Sequence, residues 1–138
     1  LPVTTPGTQA DVLVAHVSLQ GHFSWGMAVG GPNIQVPRDL DLGPDGKLYV
    51  IGTNFDTITF GSTTLFNKSS HTFIARLDPA SKSFDWVSGC GDSFTRGYGL
   101  AVSSQGHIHA VGSFGPGATF GSTKLTAGTA FIYKMPKP

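Results

Sequence analysis

His107 and His109 stand two residues apart in a β-rich run, so both imidazoles point to one side of a strand, and such a pair can bind zinc. A zinc site needs further ligands, and His16, His22 and His71 have no spacing that brings them to the pair. The positions sixty residues earlier are Lys47 and Tyr49, so a polar strand face, in solvent or at an interface, is the plainer reading. Asp39, Asp41 and Asp45, with Gly43 and Gly46, superficially suggest a calcium loop. The twelve-residue spacing is not met and no Glu closes it, which leaves a turn stabilised by Asp. Gly30-Gly31 and Gly89-Cys90-Gly91 are not phosphate loops, because no helix follows to offer its N-terminus. A Ser, His and Asp set lacks a G-x-S-x-G elbow. Cys90 is the single cysteine, so no intrachain disulfide or thiolate metal cluster can form, and its small neighbours suit a buried, inert thiol. Acid, base and nucleophile nowhere assemble, and the sequence points to a non-catalytic protein with no cofactor and no metal.

The elements that must position these residues are strands. Charged residues make up 12% of the chain, about half the usual share, while 19 Gly and 9 Pro interrupt short runs rich in Thr, Ser, Phe and Val. A net charge of +1 makes no electrostatic case for nucleic acid or an anionic membrane. No apolar run approaches the roughly 18 residues of a membrane span. The chain opens on Leu1, the form an exported protein takes after losing its signal peptide, which points outside the cell or to its surface. Asn67-Lys68-Ser69 is an N-glycosylation sequon, meaningful in a eukaryotic secretory setting.

Sliding the chain against itself by 60 residues places Phe60-Gly61-Ser62-Thr63 on Phe120-Gly121-Ser122-Thr123, Gly46 on Gly106 and Gly52 on Gly112. Leu13-Val14-Ala15 falls on Phe73-Ile74-Ala75, Trp25 on Trp86 after a slip of one, and Phe131-Ile132-Tyr133 is a third copy two residues early. Each unit carries four strand-period runs separated by turn residues, including Pro44-Asp45-Gly46 and Ser104-Gln105-Gly106. Residues 1–10 read as an extended arm, about 11–70 and 71–130 as two tandem units followed by a terminal strand to 135, and 136–138 as a tail. The recurring Gly52 and Gly112 read as strand ends where the backbone must bend or approach a neighbour closely, Phe60 and Phe120 as plugs between adjacent sheets, and Trp25 and Trp86 as covers of a sheet face.

This pattern resembles the bacterial repeat often described as a seven-bladed β-propeller. The resemblance rests on Asp45 to Thr53 and Gln105 to Phe114, on Thr59-Phe60-Gly61 and Thr119-Phe120-Gly121, on Thr72 to Leu77 and on Phe84-Asp85-Trp86. It covers about residues 10 to 135 and implies four-stranded antiparallel blades without implying an activity. The family's arrays carry many units and this chain carries two, so the expected fold is all-β, propeller-like, with partial blades completed by a neighbouring chain.

Function is best sought where the units differ. Arg38 falls on Tyr98, and Phe94, Arg96 and Tyr98 share what reads as a loop beside Asp92. Arg and aromatic groups so placed can contact sugars or proteins, with Trp25 and Trp86 as further candidates. The leading expectation is a secreted structural or interaction protein whose copies join into a ring or filament. A lectin-like, glycan-binding module and a piece of a larger surface adhesin are the alternatives.

Overall fold

The computed structural model describes residues 3, 4, 7, 9–66, 69–91 and 94–135. Among them are thirteen strands and no helix. In chain order these are β1 (Val12–Val17), β2 (Phe23–Val29), β3 (Gln35–Leu42), β4 (Leu48–Phe55), β5 (Ile58–Phe60), β6 (Thr63–Leu65) and β7 (Ser70–Asp78). They continue with β8 (Ser83–Cys90), β9 (Thr95–Val102), β10 (Ile108–Phe114), β11 (Thr119–Phe120), β12 (Thr123–Lys124) and β13 (Ala130–Met135). All strand pairs are antiparallel.

Three sheets follow one another along the chain: β1-β2, then β3-β4-β7-β8, then β9-β10-β13. A small hairpin, β5-β6 or β11-β12, is inserted at the same place in the second and third sheets. The hydrogen-bonded sheets are thus phased about half a unit from the 60-residue sequence repeat. The complete sheet spans Gln35 to Cys90, with a two-stranded sheet before it and a three-stranded sheet after it. Among the described residues the sheets close into neither a barrel nor a ring.

One tight loop recurs three times. Gly43 N donates to Lys47 O (2.8 Å) and Gly46 N to Gly43 O (3.0 Å). Ser103, Gly106 and His107, and Ser18, Gly21 and His22, repeat the arrangement. Gly46 and Gly106 have φ of +73° and +84°, which only glycine adopts without strain, and this fixes the hairpins at those points.

Alternation divides the strand residues between two cores. Val12 and Val14 of the first sheet pack with Val50, Phe73, Ala75 and Leu77 of the second. Tyr49, Ile51 and Ile74, on the opposite face of the second sheet, pack with Leu100, Ile108, Ala110 and Phe131 of the third. The second sheet is apolar on both faces, as a middle layer must be. Phe60 sits in the first core against Phe73 and Phe84, and Phe120 packs against the second beside Phe131 and Tyr133. Trp25 and Trp86 line the first and second core respectively.

Gly52 and Gly112 do not end their strands, which continue to Phe55 and Phe114. They face Phe73 and Phe131 in the neighbouring strand. A side chain at Gly52 would lie 2.5 Å from the Phe73 ring and from Val36 O, and one at Gly112 would lie 2.1 Å from Arg96 O. The glycines are bare because a backbone carbonyl and an aromatic ring both lie where a side chain would go.

Candidate functional site

The charged groups pair with one another in the second sheet. The Asp45 carboxylate accepts from the Tyr49 hydroxyl (3.0 Å) and the Lys47 amide (3.2 Å), with the Arg76 guanidinium at 3.8 Å. Arg76 Nε donates to Asp85 at 2.9 Å, and Lys47 pairs with Asp78. Burial pushes Asp45 up, but its hydrogen bonds and Arg76 together hold it below the usual carboxylate value. The Lys47 bond holds Asp78 low, and Asp85 raises Arg76 further above its ordinary value. Desolvation raises the Tyr49 hydroxyl and pushes the buried Cys90 thiol up to about 12. These carboxylates carry cation partners and the thiol is protonated, the pattern of a structural network.

Of the residues expected to bind, Arg38 and Tyr98 do meet: the guanidinium carbon lies 6.0 Å from the ring centroid, joining β3 to β9 across two sheets. The Tyr98 hydroxyl is 2.9 Å from Ser113 Oγ. Arg96 and Tyr98 lie on strand β9, not in a loop, and both are exposed, as their alternate positions require. Phe94 precedes the strand, with an amide that donates to Ser69 Oγ (3.4 Å). Asp92 lies outside the described residues. Trp25 and Trp86 are separate from this strip and are half-buried against the two cores. His109 faces Ala101 and Lys134 across β10, and among the described residues no group of three His, Cys, Asp or Glu is placed to hold a metal. Asn67 and Lys68 of the sequon also lie outside the described residues.

Asp39 and Asp41 do not stabilise a turn. They lie on β3 and reach the open edge of β9, where Asp39 Oδ2 accepts from Leu100 N (2.9 Å) and Asp41 Oδ2 from Val102 N (2.7 Å). Their other oxygens accept from Leu40 N (2.9 Å) and Leu42 N (2.8 Å). Two carboxylates two residues apart match amides two residues apart, since alternate amides of an edge strand point outward. Only Asp45 acts in the turn.

Inter-sheet surfaces are left open on the third sheet and on β3 of the second. On the third sheet, Val111 and Ile132 occupy the positions of Ile51 and Ile74; Ile132 is 84% exposed where Ile74 is 0%. On β3, Leu40 and Leu42 are 58% and 60% exposed, whereas Leu100, sixty residues on, is 9%. Among the described residues β1 pairs only with β2. Between its free side and β3-β4 runs a groove of about 690 Å³, lined by Leu13, Ala15, Val17, Leu40, Leu48 and Val50 among others. Sequence reasoning placed partial blades at the ends but missed this groove, whose walls come from strands that the linear repeat assigns to one unit.

No family model matches the chain, and no curated protein matches it. Among the described residues, no helix is long and apolar enough to cross a membrane.

Proposed function

We propose that this chain is a non-catalytic, propeller-like structural or interaction module, extracellular or cell-surface, whose blade-like sheets are completed by copies of itself in a ring or filament. The observation that carries this reading is the mismatch between inner and outer surfaces. Positions sealed at Ile74 and Leu100 are open at their counterparts Ile132, on the last sheet, and Leu40, which faces the two-stranded first sheet. Large apolar side chains on an unpaired strand edge are a liability that natural β proteins cover. The charged residues support the same reading, since Asp45, Arg76, Asp85, Lys47 and Asp78 satisfy one another.

Light scattering on the purified chain at micromolar concentration tests it. A mass of two or more copies is expected, and a well-folded monomer would overturn it. Glycan binding has a narrower basis, the exposed Arg38, Arg96 and Tyr98 strip, and a glycan array is the direct measurement.

A further inference from the structure

We infer that the groove beside β1 receives the β9-β10 hairpin of a second copy, with β1 taking the place of that copy's β13. This rests on the self-association proposed above and specifies its partner and register.

Three observations converge. The first is the strand inventory. The second sheet shows a full set, β3-β4-β7-β8, and the hairpins placed between β4 and β7 and between β10 and β13 identify β13 with β7. The offset of 60 identifies β1-β2 with β7-β8. The first sheet therefore lacks counterparts of β3 and β4, and the third lacks one of β8. Joining β9-β10 of one copy to β1-β2 of another makes a sheet of the same order as β3-β4-β7-β8, and the ninth main strand, β13, is the one left over.

The second observation is the register. Gly52 faces Phe73 and Gly112 faces Phe131. Leu13 stands at the same position of its strand as Phe73 and Phe131, but no glycine faces it. Set in β13's place, Leu13 lies over Gly112, Ala15 faces Ala110 and His16 faces His109, where Lys134 stands in the single chain. Leu13, 53% exposed, then occupies the covered site of Phe131.

The third is the groove floor. The edge amides of β9 are capped by Asp39 and Asp41 of β3, the corresponding strand of the preceding sheet. Leu40 and Leu42 need no such acceptor, because their amides already donate to Asp39 and Asp41 Oδ1. β9 carries Gly99 and Ala101 where β3 carries Asp39 and Asp41, so it brings no carboxylate and leaves room for the two leucines. Each copy then contributes eight strands, two complete sheets. A closed ring of about four to eight blades holds two to four copies.

The test is a chain with His16→Cys and His109→Cys in a Cys90→Ala background, mildly oxidised at the concentration where the wild type associates. Both substituted side chains are wholly or partly exposed, so folding is checked against wild type by circular dichroism. The expected result is a reducible ladder at multiples of the monomer mass. Associated protein without that ladder, but with one from Leu13→Cys and Ile132→Cys, would mean face-to-face stacking with β13 retained. That overturns the exchange and leaves self-association standing. A monomer throughout overturns both.

Discussion

The Asp39 carboxylate on β3 accepts a hydrogen bond from the Leu100 amide of β9 at 2.9 Å, and Asp41 repeats the contact at Val102 at 2.7 Å. The second and third sheets are joined there by side chain to backbone, along an edge that no other strand among the described residues pairs with. Hydrogen bonds to a charged group are worth about 1.5–3 kcal/mol at best, and partial exposure reduces that. Asp39→Ala with Asp41→Ala is expected to lower the unfolding free energy by about 1–3 kcal/mol in urea. It should also speed amide exchange at Leu100 and Val102 ahead of the rest of β9. Unchanged exchange at those two amides would show that the carboxylates do not hold the edge.

Gly52→Ala and Gly112→Ala should each destabilise by about 1–3 kcal/mol, read as a lower urea midpoint, because overpacking a core strand forces backbone shifts. The new methyl meets a backbone carbonyl, Val36 O or Arg96 O, as well as a ring. Trimming the ring with Phe73→Leu should therefore fail to rescue Gly52→Ala. Rescue would mean that the ring alone excludes a side chain.

The strands were legible in the sequence because Val12 to Val17, Leu48 to Thr53 and Ile108 to Ser113 alternate or run apolar between turn residues, and the structure extends them by at most two residues. The repeat was legible at Gly46, Gly106, Phe60 and Phe120, where turn geometry and inter-sheet packing demand one residue type each time. Asp39 and Asp41 were not, because a carboxylate in a Gly-rich stretch reads as a turn former and its real partner lies 61 residues away. Arg96 and Tyr98 read as loop because Gly97 and Gly99 interrupt their strand. Gly97 is bare for a tertiary reason, as a side chain there would strike Ile51.

Acid should weaken the fold through Asp45 and Asp78. Both are held below 3.8 in the folded chain, so the unfolded chain takes up the proton first as pH falls. Their contribution is full well above 3.8 and is lost as pH drops through and below that value. A thermal midpoint that is flat from about pH 5 to 7 and falls below about pH 4 is expected. Asp45→Asn should be less stable near neutrality and show a shallower acid fall. An acid limb of wild-type steepness in that variant would remove Asp45 from the account.

Alkali acts through Cys90 and Tyr49, whose pKa values are raised from 9.0 and 10.0 by burial. The unfolded chain loses these protons first, so their contribution is complete below pH 9 and is lost as pH climbs, for Cys90 towards about 12. The thermal midpoint should fall above pH 9, and Cys90→Ala should fall less steeply there. At about pH 8 a thiol reagent should label the native chain at least a hundredfold more slowly than the chain in denaturant, because the thiolate is the reactive form. Equal labelling rates would mean that Cys90 is reached from solvent in the folded state.

Leu40 and Leu42 offer the cleanest separation of folding from association. Both are more than half exposed in the single chain, so Leu40→Lys with Leu42→Lys should change the unfolding free energy of the isolated chain by no more than about 0.5 kcal/mol per site. Fully burying a leucine contributes about 1.5–3 kcal/mol, and with roughly half of each already covered the pair supplies about 2–3 kcal/mol on assembly. Removing that, before any cost of seating two lysines, weakens association about 30- to 150-fold. Light scattering across a dilution series should show the variant monomeric where the wild type is assembled. Leu19→Lys, on a fully exposed turn, should leave the size unchanged. Wild-type assembly by the double variant would place the contact between copies somewhere other than the groove floor.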